Sequence, residues 1–92
     1  MRPEVIRRRL IVSGRVQGVF FRDSTRQKAE ANGVSGWVAN RADGSVEVVL
    51  EGPPAAVEAV AAYSRRGPDG ARVEHVEERE ESPEGLDGFA VR

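Results

Sequence analysis

Gly14 to Arg22, GRVQGVFFR, combines two glycines, two branched residues and two phenylalanines ahead of a closing arginine in nine positions. A plain surface turn uses Gly, Asn, Asp or Ser and has little need of Val-Phe-Phe. Where an apolar strand gives way to a helix, the N–H groups of the loop and first turn lack partners. The helix end there also carries partial positive charge. Such a place can hold an anion. Gly18 lets the backbone curl until successive N–H groups converge, and Val16, Val19 and Phe20 would hold that curl against a core. Arg22 adds a planar fork of donors suited to phosphate. Each charge-assisted bond is worth about 1.5 to 3 kcal/mol, so a few converging ones bind a small dianion. The stretch is not a Walker A loop, because no Lys-Ser or Lys-Thr follows, and it lacks the third glycine of a dinucleotide loop. Taken alone, it fits a phosphate cradle and a tight structural turn equally well.

Other chemistry-bearing residues are few. The chain has no cysteine and one histidine, so neither a disulfide nor a thiolate zinc site is available. Ser13, Ser24 and Thr25 have no paired base, which argues against nucleophilic catalysis. His75 is of a type that can serve as a general base but sits in a strand pattern far from the glycine loop. Asn40, next to a hairpin signal, reads in isolation as turn chemistry. The acidic run EEREE reads as a solvated guard on an edge strand, and Arg7, Arg8 and Arg9 as decoration of an outer strand face. Trp37 and Tyr63 read as core or helix–sheet packing.

The elements that must position these residues follow from periodicity. Val5 to Ser13 alternates as a strand with Leu10 and Val12 inward. Arg22 to Asn32 has helix formers and a Gly33 stop, with Phe21, Thr25, Ala29 and Asn32 on one face. Val34 to Arg41 reads as a second strand, and Asp43-Gly44 as a hairpin into a third at Ser45 to Glu51. Gly52-Pro53-Pro54 opens a second helix, Ala55 to Arg66, with Val57, Val60, Ala61 and Ser64 on one face. Gly67-Pro68-Asp69-Gly70 ends it. Ala71 to Glu80 is a fourth strand, with Val73 and His75 on one face and Val76 near the other, and Phe89 to Arg92 a short last one. The order predicts an α+β, ferredoxin-like βαββαβ fold: an antiparallel sheet with two helices on one face and an added C-terminal strand.

Ninety-two residues imply one domain, 1–92, with a thin core. The net charge of −1 gives no general reason to bind nucleic acid or membrane. Aromatic residues able to stack bases are sparse near the basic triplet. The three apolar residues after that triplet are too few for a signal peptide, and no run approaches a membrane span. The expectation is a cytoplasmic monomer.

The blocks GRVQGVFFR (14–22), GWVANRADGSVEV (36–48), EGPPAAVEAV (51–60) and GFAVR (88–92), in this order and separation, resemble acylphosphatases. These enzymes hydrolyse the carboxyl–phosphate anhydride of acyl phosphates. The resemblance covers most of the chain. It implies that Arg22 binds the phosphate and that the backbone amides of Arg15, Val16, Gln17, Gly18, Val19 and Phe20 line the rest of the pocket. It also implies that Asn40 positions the attacking water. Ala39 departs from the family pattern, where a polar residue is common, which bears on substrate preference. The rival reading is a non-catalytic phosphate- or carbamoyl-phosphate-binding or interaction module of the same fold.

So small a set of groups is chemically sufficient. An acyl phosphate expels a carboxylate whose conjugate acid has a pKa of about 4 to 5, so no general acid is needed. Phosphoryl transfer then depends on positioning and charge, and a neutral amide can orient water. Asn offers both a donor and an acceptor. Neither a metal nor a cofactor is implied, because Arg22 and the amides supply the charge, and the partner is a small-molecule acyl phosphate.

Overall fold

The computed structural model describes residues 4–92. It contains β1 (Ile6–Arg15), α1 (Phe21–Ala31), β2 (Ser35–Asn40), β3 (Val46–Gly52), α2 (Pro54–Arg66), β4 (Arg72–Glu81) and β5 (Phe89–Val91). The sheet order is β4-β1-β3-β2-β5, and both helices pack on one face. β1 pairs antiparallel with β3 and β4, and β2 antiparallel with β3, as the βαββαβ order requires. β5 instead joins β2 in parallel, Gly36 opposite Phe89 and Val38 opposite Val91, so the complete sheet is mixed. Among the described residues no helix is long and apolar enough to cross a membrane.

The core lies between the sheet and the helices. Leu10, Val12, Val38, Val46, Val48 and Leu50 face Phe21, Ala29, Val57, Val60 and Ala61. On α2 the buried residues are Val57, Val60, Ala61 and Ser64, and on α1 they are Phe21, Thr25 and Ala29. Helical periodicity therefore selected the inward faces, except that Asn32 lies just past α1 as its cap and is half-buried. The β2–β3 turn forms at Asp43-Gly44, where the Asp43 carboxylate accepts from the Ser45 amide at 3.0 Å and its hydroxyl at 2.6 Å. Those two contacts, hydroxyl first, hold the Asp43 carboxyl below its ordinary pKa.

Three expectations need correction. Val73 and Val76 both turn toward the core, whereas His75 is exposed. The cause is a bulge: His75 pairs with Ser13 but Val73 pairs with Gly14, leaving Glu74 as the extra residue. Gly14 is required there, because at φ 126° a Cβ would come within 2.2 Å of the Arg72 carbonyl oxygen. Second, Trp37 lies on the sheet face away from the helices. The Arg9 and Arg92 guanidinium carbons stand 5.7 and 4.5 Å from its ring centre. Neighbouring Val38 takes the core position instead. Third, Arg7, Arg8 and Arg9 are not surface decoration. Arg7 is 3 % exposed and pairs with Glu51 at 2.7 Å and Glu81 at 2.9 Å. Arg8 pairs with Glu58 at 2.6 Å, and Arg9 with Glu47 and Glu81. β4 is an edge strand, as the acidic run suggested, but Glu78 and Glu81 are engaged by arginines.

Candidate active site

β1 ends at Arg15 and the chain turns into α1 within five residues. Gly18 adopts φ 72°, and Phe20, the residue capping α1, takes left-handed geometry at φ 62°, ψ 23°. Two positive φ values so close together curl the segment, which is how short peptide stretches turn N–H groups toward a common point. Val16 and Phe21 bracket the curl and are only 1 % and 2 % exposed, so the loop is fastened at both ends, whereas Phe20, expected to hold the curl against the core, instead turns outward. The first helical turn is stitched to it by the Ser24 amide and hydroxyl, which donate to the Phe20 carbonyl at 3.0 and 2.7 Å.

This loop forms one wall of a cavity of about 590 Å³. The lining residues include Val16, Gly18 and Phe20 from the loop, Arg22 and Arg26 from α1, Asn40 from the end of β2 and Val91 from β5. Arg22 and Asn40, 18 positions apart in the chain, therefore share one pocket. Gln17 and Val19 of the same loop, and Arg15 at the end of β1, are not among the cavity walls. His75 is absent from those walls too, and its Nε2 lies 4.0 Å from Glu77.

The charges around the cavity are distributed unevenly. Arg26 is occupied, donating to Asp23 and Glu30 at 2.8 Å each. Arg26, helped by the Gln27 amide, holds the Asp23 carboxyl below its ordinary pKa, so this wall carboxylate is a poor base. Arg22 has no carboxylate partner among the described residues; its Nη1 donates to the Arg92 carbonyl oxygen at 3.1 Å. The available guanidinium is thus the one at the helix start beside the curled loop. Asn40 is exposed, and among the described residues its carboxamide makes no hydrogen bond. A fixed cation, a curled backbone and a free amide around one cavity suit a small dianion and a water molecule. Among the described residues, no group of three or more His, Cys, Asp or Glu side chains is placed to hold a metal ion.

Two features of the site had no signal in the sequence. One is the left-handed Phe20, since aromatic residues rarely take that conformation. The other is the Gln17 side chain, which reaches the β2–β3 turn and donates to the Arg41 and Ser45 carbonyls at 2.8 and 3.0 Å. Nothing in local spacing reveals a contact across 24 positions.

A sequence profile of the family described as Acylphosphatase matches residues 8–91. The chain is 58 % identical over 85 residues to an acylphosphatase of Rubrobacter xylanophilus, covering 91 % of this chain and 77 % of the relative. It is 52 % identical over 86 residues to an acylphosphatase of Haloarcula marismortui, covering 94 % of each. Among solved structures, an acylphosphatase from Coxiella burnetii superimposes with a TM-score of 0.90 at 39 % identity, over 96 % of this chain and 93 % of that one. The fold and these similarities agree, and the chain belongs to the acylphosphatase family.

Proposed function

We propose that this chain hydrolyses acyl phosphates to a carboxylate and inorganic phosphate, with Arg22 and the loop amides as the phosphate grip and Asn40 as the water-positioning group. The observation that carries this reading is the single cavity walled by Gly18, Phe20, Arg22 and Asn40. The phosphate sits in the curl of residues 15–20, where main-chain N–H groups and the Arg22 fork offset its charge. The Asn40 carboxamide orients a water in line with the bond to the leaving carboxylate. That carboxylate departs without protonation, since its conjugate acid has a pKa of only about 4 to 5 and the anion is stable at neutral pH. Asp23 is held in its ionised form by Arg26 and is a weak acceptor, so a phosphate oxygen takes the proton of the attacking water. A pure phosphate-binding module has no use for the water-directing amide, which favours the enzyme. On this reading the partner is a small-molecule acyl phosphate, and the protein acts on it as a monomer.

The test is phosphate release from acetyl phosphate without added metal, against a phosphate monoester as control. Release from the first and not the second is expected. Asn40→Ala should lower kcat by about 10²-fold or more while inorganic phosphate remains a competitive inhibitor. Arg22→Ala should raise the phosphate inhibition constant. Near wild-type turnover by Asn40→Ala would remove the water-positioning role.

A further inference from the structure

The phosphate cradle and Asn40 lie on separate pieces of chain. The cradle follows β1, whereas Asn40 ends β2, and β3 runs between those strands. In-line attack is sensitive to misplacement of about 1 Å, so some contact must set the distance from one piece to the other.

The Gln17 carboxamide makes that contact. Its Nε2 donates to the Arg41 carbonyl at 2.8 Å and the Ser45 carbonyl at 3.0 Å. These two acceptors stand at opposite ends of the β2–β3 turn. Arg41 follows Asn40 directly, and Ser45 precedes Val46, the residue paired with Asn40 across the ladder. The same carbonyls also close the turn internally, with Ser45 accepting from the Arg41 amide at 2.8 Å and Arg41 from the Gly44 amide at 3.1 Å. Among the described residues, these are the side-chain hydrogen bonds that tie the cradle to this turn.

The two sides it joins differ in firmness. The cradle is fastened by buried Val16 and Phe21, with Val19 packed against the core. Residues 40–44 are all exposed. Loss of the tether leaves the turn closed by its own hydrogen bonds but no longer referenced to the cradle, so the placement of Asn40 relative to the cradle is what shifts. We infer that the Gln17 side chain is a positioning residue for hydrolysis, holding the turn so that Asn40 aims water at a phosphate bound in the cradle. This inference rests on the roles proposed above for the cradle and Asn40.

Gln17→Met keeps length and bulk but removes both donors, and Gln17→Glu sets a carboxylate against two carbonyl oxygens. With acetyl phosphate as substrate, kcat should fall about tenfold in Gln17→Met and further in Gln17→Glu. The inhibition constant of inorganic phosphate should stay within about twofold. In an Asn40→Ala background, Gln17→Met should cause less than about a twofold further loss, because its effect passes through Asn40. A merely structural role would lower thermal stability without this split between kcat and phosphate affinity. An unchanged kcat, a weakened phosphate affinity at constant kcat, or the same tenfold loss in both backgrounds would overturn the inference. Full turnover by Asn40→Ala alone would overturn the role of Asn40 and this inference together. Loss confined to the Gln17 variants' phosphate binding would leave the role of Asn40 standing.

Discussion

Phe20 combines a left-handed backbone with a side chain that is 84 % exposed. Left-handed geometry costs a residue with a Cβ about 1 to 2 kcal/mol, and an exposed ring returns little burial energy. Strain of this kind persists where the surrounding structure needs it, and here it closes the curl over which α1 begins. Glycine at this position would relieve the strain but lose about 0.5 to 1 kcal/mol through its extra freedom when unfolded. Phe20→Gly should therefore be as stable as the parent or up to about 1.5 kcal/mol more so, and Phe20→Val less stable, as read from urea midpoints. Arg22 and Asn40 were legible as partners only through the combined motifs. Singly, an arginine at a helix start and an asparagine beside a turn are ordinary surface chemistry. Trp37 misled for a related reason: its size suggested the core, but Val34 and Val38 share the opposite parity and took it.

At the level of elements, β5 depends on a distant strand. The Glu51 carboxylate on β3 accepts from the Glu84, Gly85 and Leu86 amides at 2.9, 3.1 and 3.0 Å. It also accepts from buried Arg7 at 2.7 Å. Burial alone would push its pKa up; the Glu84 amide and the Arg7 guanidinium outweigh that and hold it below the ordinary value. The contact pins the loop that delivers β5 to the sheet edge, where Val91 lines the cavity and Arg92 meets Arg22. Glu51→Ala leaves the Arg7 charge without its buried partner and should cost about 3 to 5 kcal/mol in urea unfolding. β5 amides should lose hydrogen-exchange protection first. Strands β1 to β3 and both helices could be read from periodicity, to within a residue or two. The parallel docking of β5 could not, since three residues carry no register information and their anchor lies 33 to 35 positions upstream. The bulge at Glu74 was invisible for the same reason: one extra residue reverses every side chain after it.

Across the whole molecule, opposite charges are arranged as linked pairs that join strand to strand and sheet to helix. Glu58 on α2 contacts Arg65 and Arg8, and Glu81 on β4 contacts Arg9 and Arg7. Hydrogen bonds from Arg65 and then Arg8 lower the Glu58 pKa from 4.5 to about 2, and Arg9 and then Arg7 do the same for Glu81. A carboxyl that is more acidic when folded binds protons more readily when unfolded. Its contribution is therefore complete above about pH 4.5 and is lost as pH falls toward 2. The thermal midpoint should hold steady from about pH 5 to 8 and drop through the 4.5 to 2 window; a midpoint unaffected at pH 3 would contradict this. Neither the arginine triplet nor the glutamate run revealed these partners in sequence, because strand pairing decides who faces whom. The arginine-flanked indole carries an experimental consequence. Trp37 is the sole tryptophan of the chain, and Arg92, the nearer of its two cationic neighbours, also supplies the carbonyl that meets Arg22. Its emission is thus a built-in optical gauge of whether the last strand is seated, readable without attaching any dye.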